Sequence, residues 1–268
     1  MTRVAWLTDI HLNFLRPAEL ETFLRLVAAS RPDTVLVGGD IGEAPNFARY
    51  LVQMARAWPC LIYFVLGNHD YYKRSIASVR SVAEQVSEVA KNLVYLTACQ
   101  LPIALTPHVG LVGHDGWGDG RAGDYARSDV MLNDYLLIEE LAAAQTKERR
   151  LPILNRLGDE AAEHARRLLP AALEQFDEVL FLTHVPPFLE ACWHDGRTSD
   201  ANWSPHFTCL ALGEALAEIM DRFPQKRLTV LCGHTHSSGV ANIRENLTVL
   251  TGQAEYGKPE IQRVLEFE

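Results

Sequence analysis

Leu61-Ile62-Tyr63-Phe64-Val65-Leu66 runs directly into Gly67-Asn68-His69-Asp70. Six apolar or aromatic residues are too few for an ordinary helix and suit a strand buried on both faces. The strand ends abruptly in a turn residue and three polar side chains. The same pattern occurs twice upstream. Val4 to Leu7 ends in Thr8 and Asp9, and Thr34 to Val37 ends in Gly38-Gly39-Asp40. Between these runs lie two amphipathic segments. In Pro17 to Ala29, the residues Leu20, Phe23, Leu24 and Val27 recur at helical spacing, and Pro17 suits a first helical turn. Pro45 to Ala57 reads the same way. Alternating strand and helix predicts parallel strands with right-handed crossovers, and chemistry in such sheets gathers at the carboxyl ends of the strands.

Further along, Ile76 to Lys91 reads as a helix. Leu93 to Leu96, Ile103 to Leu105 and Val109 to Val112 read as short strands, with antiparallel pairing expected. Gly113 to Gly123 reads as a loop, Asp129 to Arg150 as a charged helical insertion and Asp159 to Gln175 as another helix. The strand-then-polar pattern then resumes. Val179 to Leu182 ends in Thr183-His184, and Leu228 to Leu231 ends in Gly233-His234-Thr235-His236. A loop with Trp193, His194, Trp203 and His206 and a helix from Cys209 to Phe223 lie between them. Val240 to Ile243, Thr248 to Leu250 and Arg263 to Phe267 read as closing antiparallel strands. With no repeat, low-complexity tract or linker, the expectation is a single domain over 1–268 with a helical insertion at about 114–155.

Composition narrows the function. Apolar residues make up 48 % of 268, enough for a sizeable core, and the formal charge of −9 argues against a sequence-independent nucleic-acid binder. Bound metal ions would still let the chain take a small anionic substrate. The cysteines at 60, 99, 192, 209 and 232 are scattered and form no CxxC pair, which predicts a reducing, cytoplasmic setting rather than a disulfide framework. Neither a leader at Met1 to Leu7 nor a run of ~20 apolar residues is visible, so no membrane role is expected.

Five polar clusters therefore stand at five predicted strand ends: Asp9-Ile10-His11, Gly39-Asp40, Gly67-Asn68-His69-Asp70, His184 and His234-Thr235-His236. Carboxylate, imidazole and amide without thiolate indicate a first-row divalent metal or Mg²⁺. Seven candidate ligands exceed what one tetrahedral ion needs and suffice for two ions that share a carboxylate. Residues two apart in an extended segment point the same way, so Asp9 and His11 can face one ion. The glycines at 39, 67 and 233 are expected to turn the backbone at positive φ.

The ordered set DxH, GD, GNHD, lone His and GHxH, spanning residues 9 to 236, resembles the calcineurin-like metallophosphoesterase superfamily. That resemblance implies a four-layer α/β/β/α sandwich with mixed sheets. It implies two divalent metal ions, drawn from Mn, Fe, Zn or Mg. Asp9, His11, Asp40 and His236 would hold one ion, and Asp40, Asn68, His184 and His234 the other, with Asp40 bridging. His69 would approach the scissile phosphate as a catalytic residue, with Asp70 behind it. The implied reaction is hydrolysis of a phosphodiester or small phosphomonoester by a metal-activated hydroxide. Asp40 is followed by Ile41-Gly42-Glu43, and Asn68-His69 by Asp70. The Asp-Arg-Gly and the glutamate of the superfamily's protein phosphatases are therefore missing, which disfavours a phosphoprotein substrate. A nuclease of the same superfamily and a non-catalytic metal-binding scaffold stand as alternatives.

Other conspicuous residues take plainer readings. His108, His164 and His194 are assigned to the surface, and His114 and His206 to structural roles. Trp117, Trp193 and Trp203 are either loop anchors or stacking surfaces. Asp115 and Asp119 are assigned to an Asp/Gly loop rather than a further metal, and Glu139 to Arg150 to a solvated helix face.

Overall fold

A computed structural model describes all 268 residues. In chain order the first half gives strand β1 (Thr2–Leu7), helix α1 (Pro17–Ala29), β2 (Thr34–Gly38), α2 (Phe47–Ala57), β3 (Leu61–Val65), α3 (Ile76–Val89), β4 (Leu93–Tyr95), β5 (Ile103–Ala104) and β6 (Val109–His114). Two short helices, α4 (Asp134–Leu137) and α5 (Glu139–Ala143), precede the long α6 (Lys147–Gln175). Then come β7 (Glu178–Thr183), the hairpin strands β8 (Trp193–His194) and β9 (Arg197–Thr198), α7 (Ser204–Phe207), α8 (Leu210–Arg222), β10 (Arg227–Cys232), β11 (Gly239–Arg244), β12 (Leu247–Thr251) and β13 (Arg263–Phe267).

The main strands form two sheets, ordered β13-β1-β2-β3-β4 and β11-β12-β10-β7-β6-β5. Both are mixed. β1 to β4 run parallel, and β13 closes on β1 antiparallel. In the second sheet β6, β7, β10 and β12 run parallel, with antiparallel β5 and β11 at the edges. The antiparallel expectation for 93–112 therefore holds only for β5 with β6. Likewise β12 follows β10 in parallel register, and only β11 and β13 close antiparallel.

The period of two in each strand sorts its side chains between layers. Ala5, Leu7, Val35, Val37, Ile62 and Phe64 face a core beneath α1 to α3. Their neighbours Val4, Trp6, Leu36, Tyr63 and Val65 face the other way, onto Leu111, Leu180, Leu182 and Leu231 of the second sheet. Val179, Phe181, Val230 and Cys232 then face α6 and α8. Three cores between four layers make this an α/β/β/α sandwich.

The stretch expected as a helical insertion is mostly irregular from Asp115 to Asn133. Helical structure there consists of α4, α5 and the start of α6. Residues 147–175 form one helix that passes through Pro152 and Pro170. Each of these interior prolines takes one N–H to carbonyl bond out of the helix, and the apolar packing of α6 against the second sheet and α8 holds the helix in one piece. Gly158 lets α6 pack against the loop; a Cβ there would stand 2.5 Å from that of Asp119.

Candidate metal centre

All five polar clusters lie at carboxyl ends of parallel strands, three from the first sheet and two from the second. Asp9 and His11 follow β1, Asp40 follows β2, Asn68 to Tyr71 form one short helical turn after β3, His184 follows β7, and His234 and His236 follow β10. Backbone hydrogen bonds tie these ends together. Asp9 N donates to the Gly39 carbonyl at 3.1 Å, His11 N to the Asp40 carbonyl at 2.9 Å and Gly233 N to the His184 carbonyl at 2.9 Å.

The segment after β1 is not extended. Asp9 and His11 both sit at positive φ, 51° and 40°. They reach one cluster because the backbone coils left-handed, not because of strand alternation. Asp40, His234 and His236 are also at positive φ, so five of the eight such non-glycine residues belong to the cluster. Each left-handed residue costs about 1–3 kcal/mol, a strain that concentrates at functional sites. Of the three glycines, only Gly39 has positive φ, at 89°. Gly67 and Gly233 are needed for close approach instead. A Cβ on Gly67 would stand 2.2 Å from Asp40 Oδ1, and one on Gly233 1.9 Å from Asp9 Oδ2.

Donor atoms of Asp9, His11, Asp40 and His236 all lie within 4.8 Å of one another, an arrangement able to hold a metal ion. His11 Nε2 is 3.2 Å from His236 Nε2 and 3.6 Å from Asp40 Oδ2, and His236 Nε2 is 3.4 Å from Asp9 Oδ1. The other oxygen of Asp40 faces elsewhere: Oδ1 is 3.5 Å from His184 Nε2, which is 3.1 Å from Asn68 Oδ1. The His234 ring packs edge-on to His184 at 5.0 Å.

Outer hydrogen bonds fix the tautomers, because a carbonyl only accepts. His184 Nδ1 donates to the Gly38 carbonyl at 2.8 Å, so Nε2 is bare toward Asp40. His234 Nε2 donates to the His206 carbonyl at 3.3 Å, leaving Nδ1 bare. The His69 backbone N–H donates to Asp40 Oδ1 at 2.9 Å, and that of His234 to Asp9 Oδ1 at 3.0 Å. Asn68 Nδ2 donates to Asp134 Oδ1 at 2.8 Å, which turns Asn68 Oδ1 toward His184.

The electrostatics fit a cation. Burial, and then the negative charges of Asp9 and Asp70, push the Asp40 carboxyl well above its ordinary range. Asp9 is buried too, yet the His184, His236 and His11 imidazoles hold it far below. Two buried carboxylates split in this way ionise together only beside positive charge. Burial pulls His11 down to about 2 and His234 well below its usual value, so both are neutral, the form that ligates metal. The donor set of carboxylate, imidazole and amide suits a divalent metal.

His69 lies beside the cluster, its Nε2 4.0 Å from Asp40 Oδ2 and its ring stacked on Tyr72 at 4.4 Å. Burial lowers it to about 4. Asp70 does not follow it into the cavity. It is fully buried and accepts from Gly42 N and Gly67 N, each at 2.9 Å, so it clamps the loops after β2 and β3. These bonds hold together the loops that carry Asp40 and Asn68.

A cavity of about 620 Å³ opens over Asp40, Asn68, His69, His234 and His236. Its far wall is the 194–207 segment, with Trp203 and Phe207, and Tyr256 stands at the side. Asp134, Tyr72, Phe207 and Tyr256 carried no signal in the sequence; Tyr72 alone adjoins a motif. Trp117 and His206 are buried and structural: His206 hydrogen-bonds Ser128 and Tyr135. His164, assigned to the surface, is buried against His114 because α6 lies on β6. Asp115 is a hub that accepts from Leu66 N, Tyr71, Tyr95 and Thr97. Asp119 accepts from Ala211 N and pairs with Arg121.

The sequence model of the calcineurin-like phosphoesterase family matches residues 2–238. No curated protein sequence matches the chain. Among solved structures, the fold is similar to the phosphopantetheinyl hydrolase of Mycobacterium tuberculosis, with a TM-score of 0.66 and 13 % identity over 96 % of this chain and 90 % of that one. It is also similar to a dimetal phosphatase from Danio rerio, with a TM-score of 0.57 and 15 % identity over 96 % and 89 %.

Proposed function

Since the chain belongs to the calcineurin-like phosphoesterase family and carries a metal-binding cluster, it is a metal-dependent hydrolase of phosphate esters, and we propose that its centre is dinuclear and acts on a phosphodiester or small phosphomonoester. The observation that carries the dinuclear reading is the division of Asp40, whose Oδ2 faces His11 while Oδ1 faces His184. In this reading Asp9, His11, Asp40 and His236 hold one ion, and Asp40, Asn68, His184 and His234 the other. The name of the Danio rerio relative, a dimetal phosphatase, agrees with it.

Bound divalent ions supply Lewis acidity to the phosphate oxygens and an activated water. The chain supplies the rest. Five ligand-bearing loops are hydrogen-bonded to one another, so the donors are pre-set before substrate arrives. His69 stands at the cavity edge with an imidazole N–H to offer a phosphate oxygen or the departing alkoxide. Although burial keeps it neutral, an anionic phosphate beside it raises its proton affinity toward that of a general acid. Tyr72, stacked on His69 and donating to Asp134 at 2.8 Å, fixes the ring plane.

The test is metal content together with hydrolysis. Stripped protein reloaded with Mn²⁺, Mg²⁺, Zn²⁺ or Fe²⁺ should bind two ions and cleave bis(p-nitrophenyl) phosphate or p-nitrophenyl phosphate. Asp40→Ala should lose both ions and at least about a thousandfold in rate. Two ions retained in that variant would remove the bridge.

A further inference from the structure

Resting on the phosphoesterase reading, we propose that the cavity takes a phosphate ester whose alcohol part carries an uncharged planar aromatic ring, with Trp203 as the surface on which the ring stacks. About 620 Å³ is in the range that encloses a drug-sized molecule, far more than a phosphoryl group occupies. The wall facing the metal cluster must therefore be built for the remainder of the substrate.

Among its polar side chains that wall sets two aromatic ones, Trp203 and Phe207. Of the Phe, Tyr and Trp residues of the chain only Phe14, Trp203 and Tyr256 are exposed, at 50 %, 47 % and 48 %. All three gather at this cavity. Trp203 and Tyr256 line it, and Phe14 packs on Tyr256 with ring centres 4.7 Å apart. Exposed aromatics clustered at one mouth mark a binding surface, where scattered ones would need no explanation.

The two sides differ. Tyr256 is held against His11 at 4.6 Å and His236 at 5.1 Å, as a cover over the metal cluster. Trp203 is farther out, joined to the cluster through Phe207, which is 5.8 Å from Trp203 and 4.6 Å from His234. A phosphate over His69 and His234 thus leaves its alcohol part running along Phe207 to the indole. Charge disfavours a second phosphate there. Arg197 is the lone lysine or arginine of the lining, and Asp134 and Asp200 oppose it. A neutral ring is what such a wall accepts.

Adenosine 5′-monophosphate carries adenine where ribose 5-phosphate carries its anomeric hydroxyl, so binding of both to Mn²⁺-loaded protein, followed by calorimetry, reads the contribution of the base. The wild type should bind the adenosine ester about tenfold more tightly. Trp203→Ala should abolish the preference, and Trp203→Phe should keep much of it. Trp203 is exposed, so neither change threatens folding. Phenyl phosphate identifies the ring: sensitivity to Trp203→Ala there means any aryl group suffices, and insensitivity means a ring of nucleobase size. Equal affinity of the wild type for the two ribose esters, or a preference that survives Trp203→Ala, would overturn the proposal. The phosphoesterase reading is scored apart, by hydrolysis of bis(p-nitrophenyl) phosphate with the same preparation.

Discussion

Asp134 accepts from Asn68 Nδ2 at 2.8 Å, and this contact decides which end of the Asn68 amide faces His184. The Tyr72 hydroxyl donates to the same oxygen, Oδ1, also at 2.8 Å. One acceptor oxygen therefore orients a proposed metal ligand and the residue stacked on His69.

Because both donors share one oxygen, Asp134→Asn keeps an acceptor and should bind metal nearly as the wild type does. Asp134→Leu leaves Asn68 free to rotate and should weaken the metal at the Asn68 and His184 side by about 10–100-fold. Metal titration of the two variants checks this. Equal affinities for Leu and Asn would remove the positioning role.

His69 contributes differently through backbone and side chain. Its N–H holds Asp40 and survives substitution, while its imidazole faces the cavity. His69→Ala should retain its full metal content and lose about 10²–10⁴-fold in turnover. Metal content and kcat measured on one sample decide between a catalytic imidazole and a ligand.

Gly67→Ala should be far worse than an ordinary glycine substitution. The added methyl meets Asp40 Oδ1 at 2.2 Å and the Asp40 backbone N at 2.5 Å, and the backbone cannot move aside cheaply. A loss of about 2–4 kcal/mol is expected, with impaired metal binding. Gly257→Ala is the control, at φ 80° with open space around it, and should cost about 1–2 kcal/mol. Denaturant melts of the two proteins make the comparison.

Acid should destabilise the fold through His114 and His164. Burial pulls them from 6.5 to about 3 and about 4, helped at His164 by Arg167. The unfolded chain takes both protons near pH 6.5, and the native protein refuses them until those lower values. Stability is thus complete above pH 6.5 and falls as pH drops from there toward 4, by up to about 1.4 kcal/mol per unit for each histidine. His164→Gln should flatten the slope by about one proton. An unchanged slope in urea melts at pH 7 to 5 would contradict this.

Chelation should lower the melting temperature, because Asp9 and Asp40 are then buried without a cation. Restoring a metal at about a hundredfold over its Kd should return about 2.7 kcal/mol. Calorimetric scans with and without EDTA test it.

The strand-end pattern was legible from sequence because it depends on neighbours in the chain. A buried strand requires a continuous apolar run, and the residue after it is where a ligand can stand. Asp9, His11, Asp40, Asn68, His184, His234 and His236 could therefore be picked out as a set, and the family resemblance that their order carries implied the four-layer class. The left-handed backbone at Asp9 and His11 could not, since it follows from hydrogen bonds to Gly39 and Asp40 on the next loop. Nor could the places of Asp134, Trp203 and Tyr256. They come from short or irregular segments without hydrophobic periodicity, so nothing in their own neighbourhood of the chain points to the centre. Asp134 meets Asn68 across 66 positions. Local sequence sets which residues can ligate. Only the packing of two sheets face to face decides which distant side chains orient those ligands and what shape of ester the cavity admits.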